Sequence, residues 1–150
     1  MKNNIKNNIK NIRHIGIVVK DLKKALHFWI TLMGFTVHKE MNEEGVHIDS
    51  ITKIKDTKVK TVKLIGPKNS MIELLHFNDN FASDIEKKPY SYGITHIAIE
   101  VENIEEEHNR LLKEGIEFNS PPNLTPDGFA KMNYMKAHDG VYIELVEIIS

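Results

Sequence analysis

The sequence predicts an α+β fold of two tandem βαβββ modules, forming a curved, partly closed mixed sheet around a cleft. Three observations predict it. Ile12-Arg13-His14-Ile15-Gly16-Ile17-Val18-Val19 and Gly93-Ile94-Thr95-His96-Ile97-Ala98-Ile99-Glu100-Val101 are short β-branched, apolar stretches, each with one imidazole near its start. Each leads into a helix signal that a glycine ends, Gly34 in one case and Gly115 in the other. Two further stretches, Met71-Ile72-Glu73-Leu74-Leu75 and Val141-Tyr142-Ile143-Glu144-Leu145-Val146-Glu147, share an Ile-Glu-Leu core with the carboxylate in register. A unit repeated in this way buries its apolar faces by packing on its neighbour.

Residues 1–11 read as a loose tail of Lys-Asn-Asn-Ile bias, with Ile5 and Ile9 as docking points. The first module occupies 12–77. After its opening strand, Asp21 caps a helix over 22–33, in which Leu22, Ala25, Leu26, Trp29 and Leu32 recur at helical spacing. A strand over 35–40 and an exposed loop over 42–45 follow. Ile48, Ile51 and Ile54 mark one or two short amphipathic turns within 46–58. Alternation then resumes over 59–65, Gly66-Pro67-Lys68-Asn69 turns the chain, and 70–77 returns as the partner strand.

Polar content over 78–92 marks a linker, and the second module fills 93–150. Asn103 and Glu106 form a capping box for a helix over 104–114. A short strand over 116–119, a Pro-containing loop over 120–128, a strand over 130–136, a tight turn at His138-Asp139-Gly140 and a strand over 141–147 complete it.

Composition narrows the function. Twenty basic residues against 21 acidic ones leave no footprint for nucleic acid or an anionic membrane. Without cysteine there are no disulfides, no thiol chemistry and no Cys-ligated zinc. No apolar run reaches the ~18 residues of a membrane span, and the start lacks the apolar segment of a secretory signal. The expectation is a soluble, cytoplasmic protein acting on a small molecule.

Side chains alternate across a strand. Ile15, Ile17 and Val19, like Ile97, Ile99 and Val101, share the face opposite their histidine; Ile72 with Leu74, and Ile143 with Leu145, share the face opposite their glutamate. Those apolar faces suit the helix of each module, which leaves His14, Glu73, His96 and Glu144 on the uncovered side. Each alone reads as an ordinary core histidine or exposed carboxylate; the repetition of all of them at matching places points to a shared site. Two imidazoles and two carboxylates converging in a cleft call for a cation, and a sulfur-free N/O set suits one divalent metal ion such as Ni, Co, Zn, Mn or Fe. By the same parity Val18, Met71, Leu75, Ala98, Tyr142 and Val146 line the substrate pocket. Lys60 and Lys63 differ in parity, so at most one faces in, and Tyr134, Lys136 and Glu100 are candidates for the rim. The other histidines, at 27, 38, 47, 76, 108 and 138, read as surface or packing residues.

The paired pattern resembles the vicinal oxygen chelate superfamily, which includes glyoxalase I, methylmalonyl-CoA epimerase, extradiol dioxygenases, fosfomycin-modifying transferases and bleomycin-binding proteins. The resemblance spans 12–148 and rests on His-Ile-Gly-Ile-Val-Val with Asp21-Leu22, Ile-Glu-Leu at 72–74, His-Ile-Ala-Ile at 96–99 and Asp139-Gly140 before Glu144. It implies metal ligands at His14, Glu73, His96 and Glu144, as in glyoxalase-I-like members. It also implies a metal-dependent lyase or isomerase that abstracts a proton next to a carbonyl and stabilises an enediolate, with Glu144 as base and Glu73 as its partner or alternative. A methylmalonyl-CoA-epimerase-like enzyme, a non-catalytic binding or resistance protein and an Fe(II) ring-cleaving dioxygenase are the alternatives. In this superfamily the two units of one cleft come from one chain or are exchanged between two, and a homodimer is expected. Where the superfamily often has Asp-Pro-Asp-Gly, this chain has Ala137-His138-Asp139-Gly140.

Overall fold

The computed structural model describes residues 9–78 and 86–149. The first eight residues of the expected tail, with Ile5, residues 79–85 of the expected linker and Ser150 lie outside the described residues. Ile9 is largely exposed.

The fold is α+β, with two four-stranded mixed sheets of the same topology. Strands β1 (Ile15–Val18), β2 (Thr36–Glu44), β3 (Lys58–Ile65) and β4 (Met71–Phe77) order as β1-β4-β3-β2. Strands β5 (His96–Glu100), β6 (Asn123–Leu124), β7 (Ala130–Lys136) and β8 (Tyr142–Ile148) order as β5-β8-β7-β6. In each sheet the first strand lies parallel to the last and the remaining pairs are antiparallel. Neither sheet closes, and the two are hydrogen-bonded separately.

Helix α1 (Leu22–Leu26) begins at Asp21, whose carboxylate accepts the Lys24 N–H at 3.0 Å. It continues as a π-helical segment over His27–Leu32, where Met33 N–H donates to the Phe28 carbonyl five residues back at 3.0 Å. Ala25, Phe28, Trp29 and Leu32 are the buried stripe. Helix α3 (Ile104–Lys113) repeats the design: Asn103 accepts the Glu106 N–H, and Glu147 of β8 accepts the Ile104 N–H at 2.8 Å. Gly34 (φ 73°) and Gly115 (φ 84°) stop the two helices in the left-handed region that glycine tolerates.

Residues 46–52 form a short helix, α2 (Val46–Thr52), where one or two amphipathic turns were expected. Two other local expectations change. β2 runs on through the expected loop to Glu44, because β3 extends beside it and Lys58–Glu44 (3.2 Å) and Lys60–Glu40 (3.0 Å) pair across the strands. The expected strand at 116–119 contributes only a bridge from Phe118 to Met135, and the short β6 forms inside the expected loop. Pro121 and Pro122 have no N–H to donate, so regular pairing waits until Asn123.

One apolar core joins the halves. Ile17, Trp29 and Leu74 from the first share a cluster with Ile104, Met135 and Leu145 from the second. Three polar contacts reinforce it: Arg110 on α3 donates to the Leu32 carbonyl at 2.6 Å, Trp29 Nε1–H donates to His138 Nε2 at 2.7 Å, and the Lys20 N–H donates to the Asp139 carboxylate at 2.9 Å. Among the described residues no helix is long and apolar enough to cross a membrane. Leu145→Ala, at a fully buried position, should cost about 2–5 kcal/mol of unfolding free energy by denaturant titration.

Candidate metal centre

Strand register places the candidate residues. In the first sheet Gly16 faces Glu73 and Val18 faces Leu75 across the parallel pair, while Lys63 faces Glu73 from the antiparallel side. His14, two residues before Gly16, shares that face, and its Nε2 meets the Glu73 carboxylate. In the second sheet His96 faces Tyr142, Ala98 faces Glu144, and Tyr134 faces Glu144. His96 Nε2 lies 3.1 Å from Glu144 Oε2. The carboxylate side chains are 12% and 15% exposed against 32% and 38% for the imidazoles. A carboxylate so covered needs a polar partner, and in both halves the imidazole supplies it from the open side.

The chain therefore brings the four expected ligands together as two pairs. Among the described residues no three His, Cys, Asp or Glu side chains gather in a group able to hold a metal. The packing shows why. The halves meet through the apolar sides of their sheets and their helices, and each His–Glu pair sits on the other side of its sheet.

The pocket candidates share the face of the pairs. Val18 and Ala98 are exposed, Leu75 and Val146 half-buried, and Met71 and Tyr142 buried. Lys63 is the lysine on this face, at the place where the second sheet carries Tyr134; Lys60 lies on the other. Glu100 sits at the exposed end of β5, opposite Val146. Tyr134 packs edge-on against the His96 ring at 5.2 Å between centroids. Its phenol is pushed above the ordinary tyrosine range by burial and, secondarily, by the negative charge of Glu144. It remains an O–H donor at neutral pH.

Glu43 is a carboxylate that sequence reasoning missed. It is half-buried on β2, faces Val59, and accepts the Thr61 hydroxyl at 2.7 Å. Thr61 faces Leu75, so Glu43 lies on the same side of the sheet as Glu73. Reading 42–45 as a loop hid it; extending the alternation of the preceding strand by four residues would have found it.

The donors fit a divalent first-row ion, since neutral imidazole nitrogen and carboxylate oxygen without sulfur suit that class. Each half offers two donors, short of the roughly four to six such an ion takes from protein and water together.

With this geometry, comparison with known proteins places the chain. It belongs to the Glyoxalase/Bleomycin resistance protein/Dioxygenase superfamily, whose family model matches residues 11–145. It is 31% identical over 147 residues to the mitochondrial methylmalonyl-CoA epimerase of Dictyostelium discoideum, covering 93% of this chain and 79% of that protein. A glyoxalase family protein from Bacillus cereus shares the fold at a TM-score of 0.84 and 24% identity, covering 97% of this chain and 99% of that one. The trypanothione-dependent glyoxalase I of Leishmania major superposes at a TM-score of 0.65 with 25% identity, over 93% and 87% of the two chains.

Tyr134 should ionise later than an ordinary tyrosine when phenolate absorbance is followed with rising pH. Tyr134→Phe should remove that late step, and Glu144→Gln should move it to lower pH.

Proposed function

We propose that the protein is a metal-dependent enzyme that removes a proton next to a carbonyl of a small-molecule substrate, the step shared by glyoxalase-I isomerisation and acyl-CoA epimerisation. The observation that carries this reading is the repeated His–Glu pair, on the same face and in contact in each of two sheets. His14 and Glu73 from one half, with His96 and Glu144 from another, would hold one Ni, Co, Zn, Mn or Fe ion. Since the pairs of one chain stand apart, a second copy would supply the missing half, giving a homodimer with two sites.

When bound, the ion supplies Lewis-acid polarisation of the substrate carbonyl. The protein's own groups do the rest. Glu144 accepts the proton from carbon, from a position largely covered from water and held against His96. Tyr134 stands beside it with its O–H intact, positioned to donate to a substrate oxygen. Glu73 supplies a second carboxylate for returning the proton from the opposite side, and Glu43, which pairs with a hydroxyl instead of an imidazole, is a further acceptor on that face. Val18, Met71, Leu75, Ala98, Tyr142 and Val146 form the largely apolar walls that exclude water.

Identity with the epimerase supports an acyl-CoA thioester as substrate, and likeness to glyoxalase I supports a hemithioacetal. Incubating metal-loaded protein with each class in deuterated water tests the reading. Exchange of the proton alpha to the carbonyl is expected with one of them; saturable binding without exchange would make this a binding protein, and dioxygen uptake with iron would make it an oxygenase. Glu144→Gln should slow exchange by about 10²–10⁴-fold and lower metal content far less, measured by elemental analysis of the same samples. Equal loss of both would assign Glu144 to metal binding alone.

A further inference from the structure

Outside the candidate site, the imidazole of His138, in the turn between β7 and β8, is engaged at both ring nitrogens. It is 4% exposed. Its Nε2 faces the indole Nε1–H of Trp29 at 2.7 Å, and its Nδ1 faces Asp139 Oδ2 at 2.6 Å. Indole nitrogen only donates, so Nε2 is the acceptor, and the ring proton sits on Nδ1, where it is donated to the Asp139 carboxylate. The other carboxylate oxygen of Asp139 accepts the Lys20 backbone N–H at 2.9 Å. The network therefore runs from the end of β1 and the helix that follows it to the turn that starts β8, and its links span 109 and 119 residues of chain.

We infer that His138 is a protonation-sensitive latch between the two halves of the chain: neutral, it fastens Trp29 to the β7–β8 turn, and protonated at Nε2 it releases the indole and loosens the halves. A proton on Nε2 places two N–H groups head to head inside a buried site, which removes one hydrogen bond and adds an unpaired donor. Phe28 and Trp29 pack edge-on against the imidazole and offer no other acceptor. Among the described residues, the charged groups that act on the ring are Asp139 on its own turn and Lys24 on α1; Lys20 follows β1, and Lys87 before β5 lies beside Gly140. Burial pushes the imidazole below the ordinary histidine range, Asp139 opposes this, and Lys24 adds to it.

The sign follows from linkage. With the folded-state value lowered, the unfolded chain takes the proton first, so stability is full above the ordinary histidine pKa of about 6.5 and is lost as pH falls from there through the folded value. The latch is independent of the metal reading, since none of its groups is a candidate ligand.

The chain has one tryptophan, so the indole itself reports the latch. In the metal-free protein the single indole N–H resonance should shift as pH is lowered below 6.5. Amide exchange at the 138–141 turn should accelerate roughly tenfold in the same transition, and the His138 ring nitrogens should show Nδ1–H as the neutral tautomer. His138→Gln, which keeps an acceptor but does not titrate, should hold the indole resonance constant over that range. An indole signal indifferent to pH in the wild type, an Nε2–H tautomer, or an unchanged transition in His138→Gln would overturn the proposal. Should the variant fail to fold, the wild-type tautomer and indole shift decide alone.

Discussion

Everything at the candidate site depends on one constraint: a β-strand has two faces, and in each half one of them is consumed by the core. Ile17 and Leu74, or Leu145 and Ile143, are turned toward the shared apolar cluster, and this forces Glu73 and Glu144 to the opposite side. There the carboxylates are too covered to be left to water and too polar to be left alone. The imidazoles of His14 and His96 answer that requirement, and in doing so present a nitrogen and an oxygen donor together. Because the same solution occurs on both sheets, its recurrence is the strongest functional signal in the chain.

The two halves are nonetheless chemically different around that common pair. Opposite Glu73 stands Lys63; opposite Glu144 stands Tyr134. In the combined site proposed above, a lysine would stand beside one carboxylate and a phenol beside the other, so the two walls would be unlike. Glu43 adds a third acid group to the first-half wall only. The repeated strand pattern accounts for the matching His–Glu pairs, and the residues opposite the two glutamates account for the asymmetry.

Much of this was legible in the residues. Period-two alternation with Ile-Glu-Leu at two places was enough to place the glutamates opposite the core, and Asp21, Asn103, Gly34 and Gly115 bounded the helices because caps and left-handed stops are local chemistry. What escaped is what tertiary contacts decide. β2 lengthens because β3 lies beside it, which no property of Asn42 or Glu43 announces, and the Pro121-Pro122 pair moves the second-half edge strand past the residues that look most like a strand. His138 reads as an unremarkable turn residue until Trp29, distant in sequence, is found against it. That the two His–Glu pairs do not gather into one group within the described residues is likewise a matter of packing: the halves share a core through the opposite, apolar faces of their sheets, which strand alternation alone does not reveal.

The central claim is that a first-half pair and a second-half pair from different copies make one site, and complementation tests it most directly. One variant carries His14→Ala and Glu73→Gln, the other His96→Ala and Glu144→Gln; each is titrated with divalent metal alone and then as an equimolar mixture after subunit exchange. The account predicts negligible tight binding by either alone, and recovery in the mixture through mixed dimers that contain one intact site. Full binding by either variant alone, or a mixture no better than its components while the wild type binds, would contradict it.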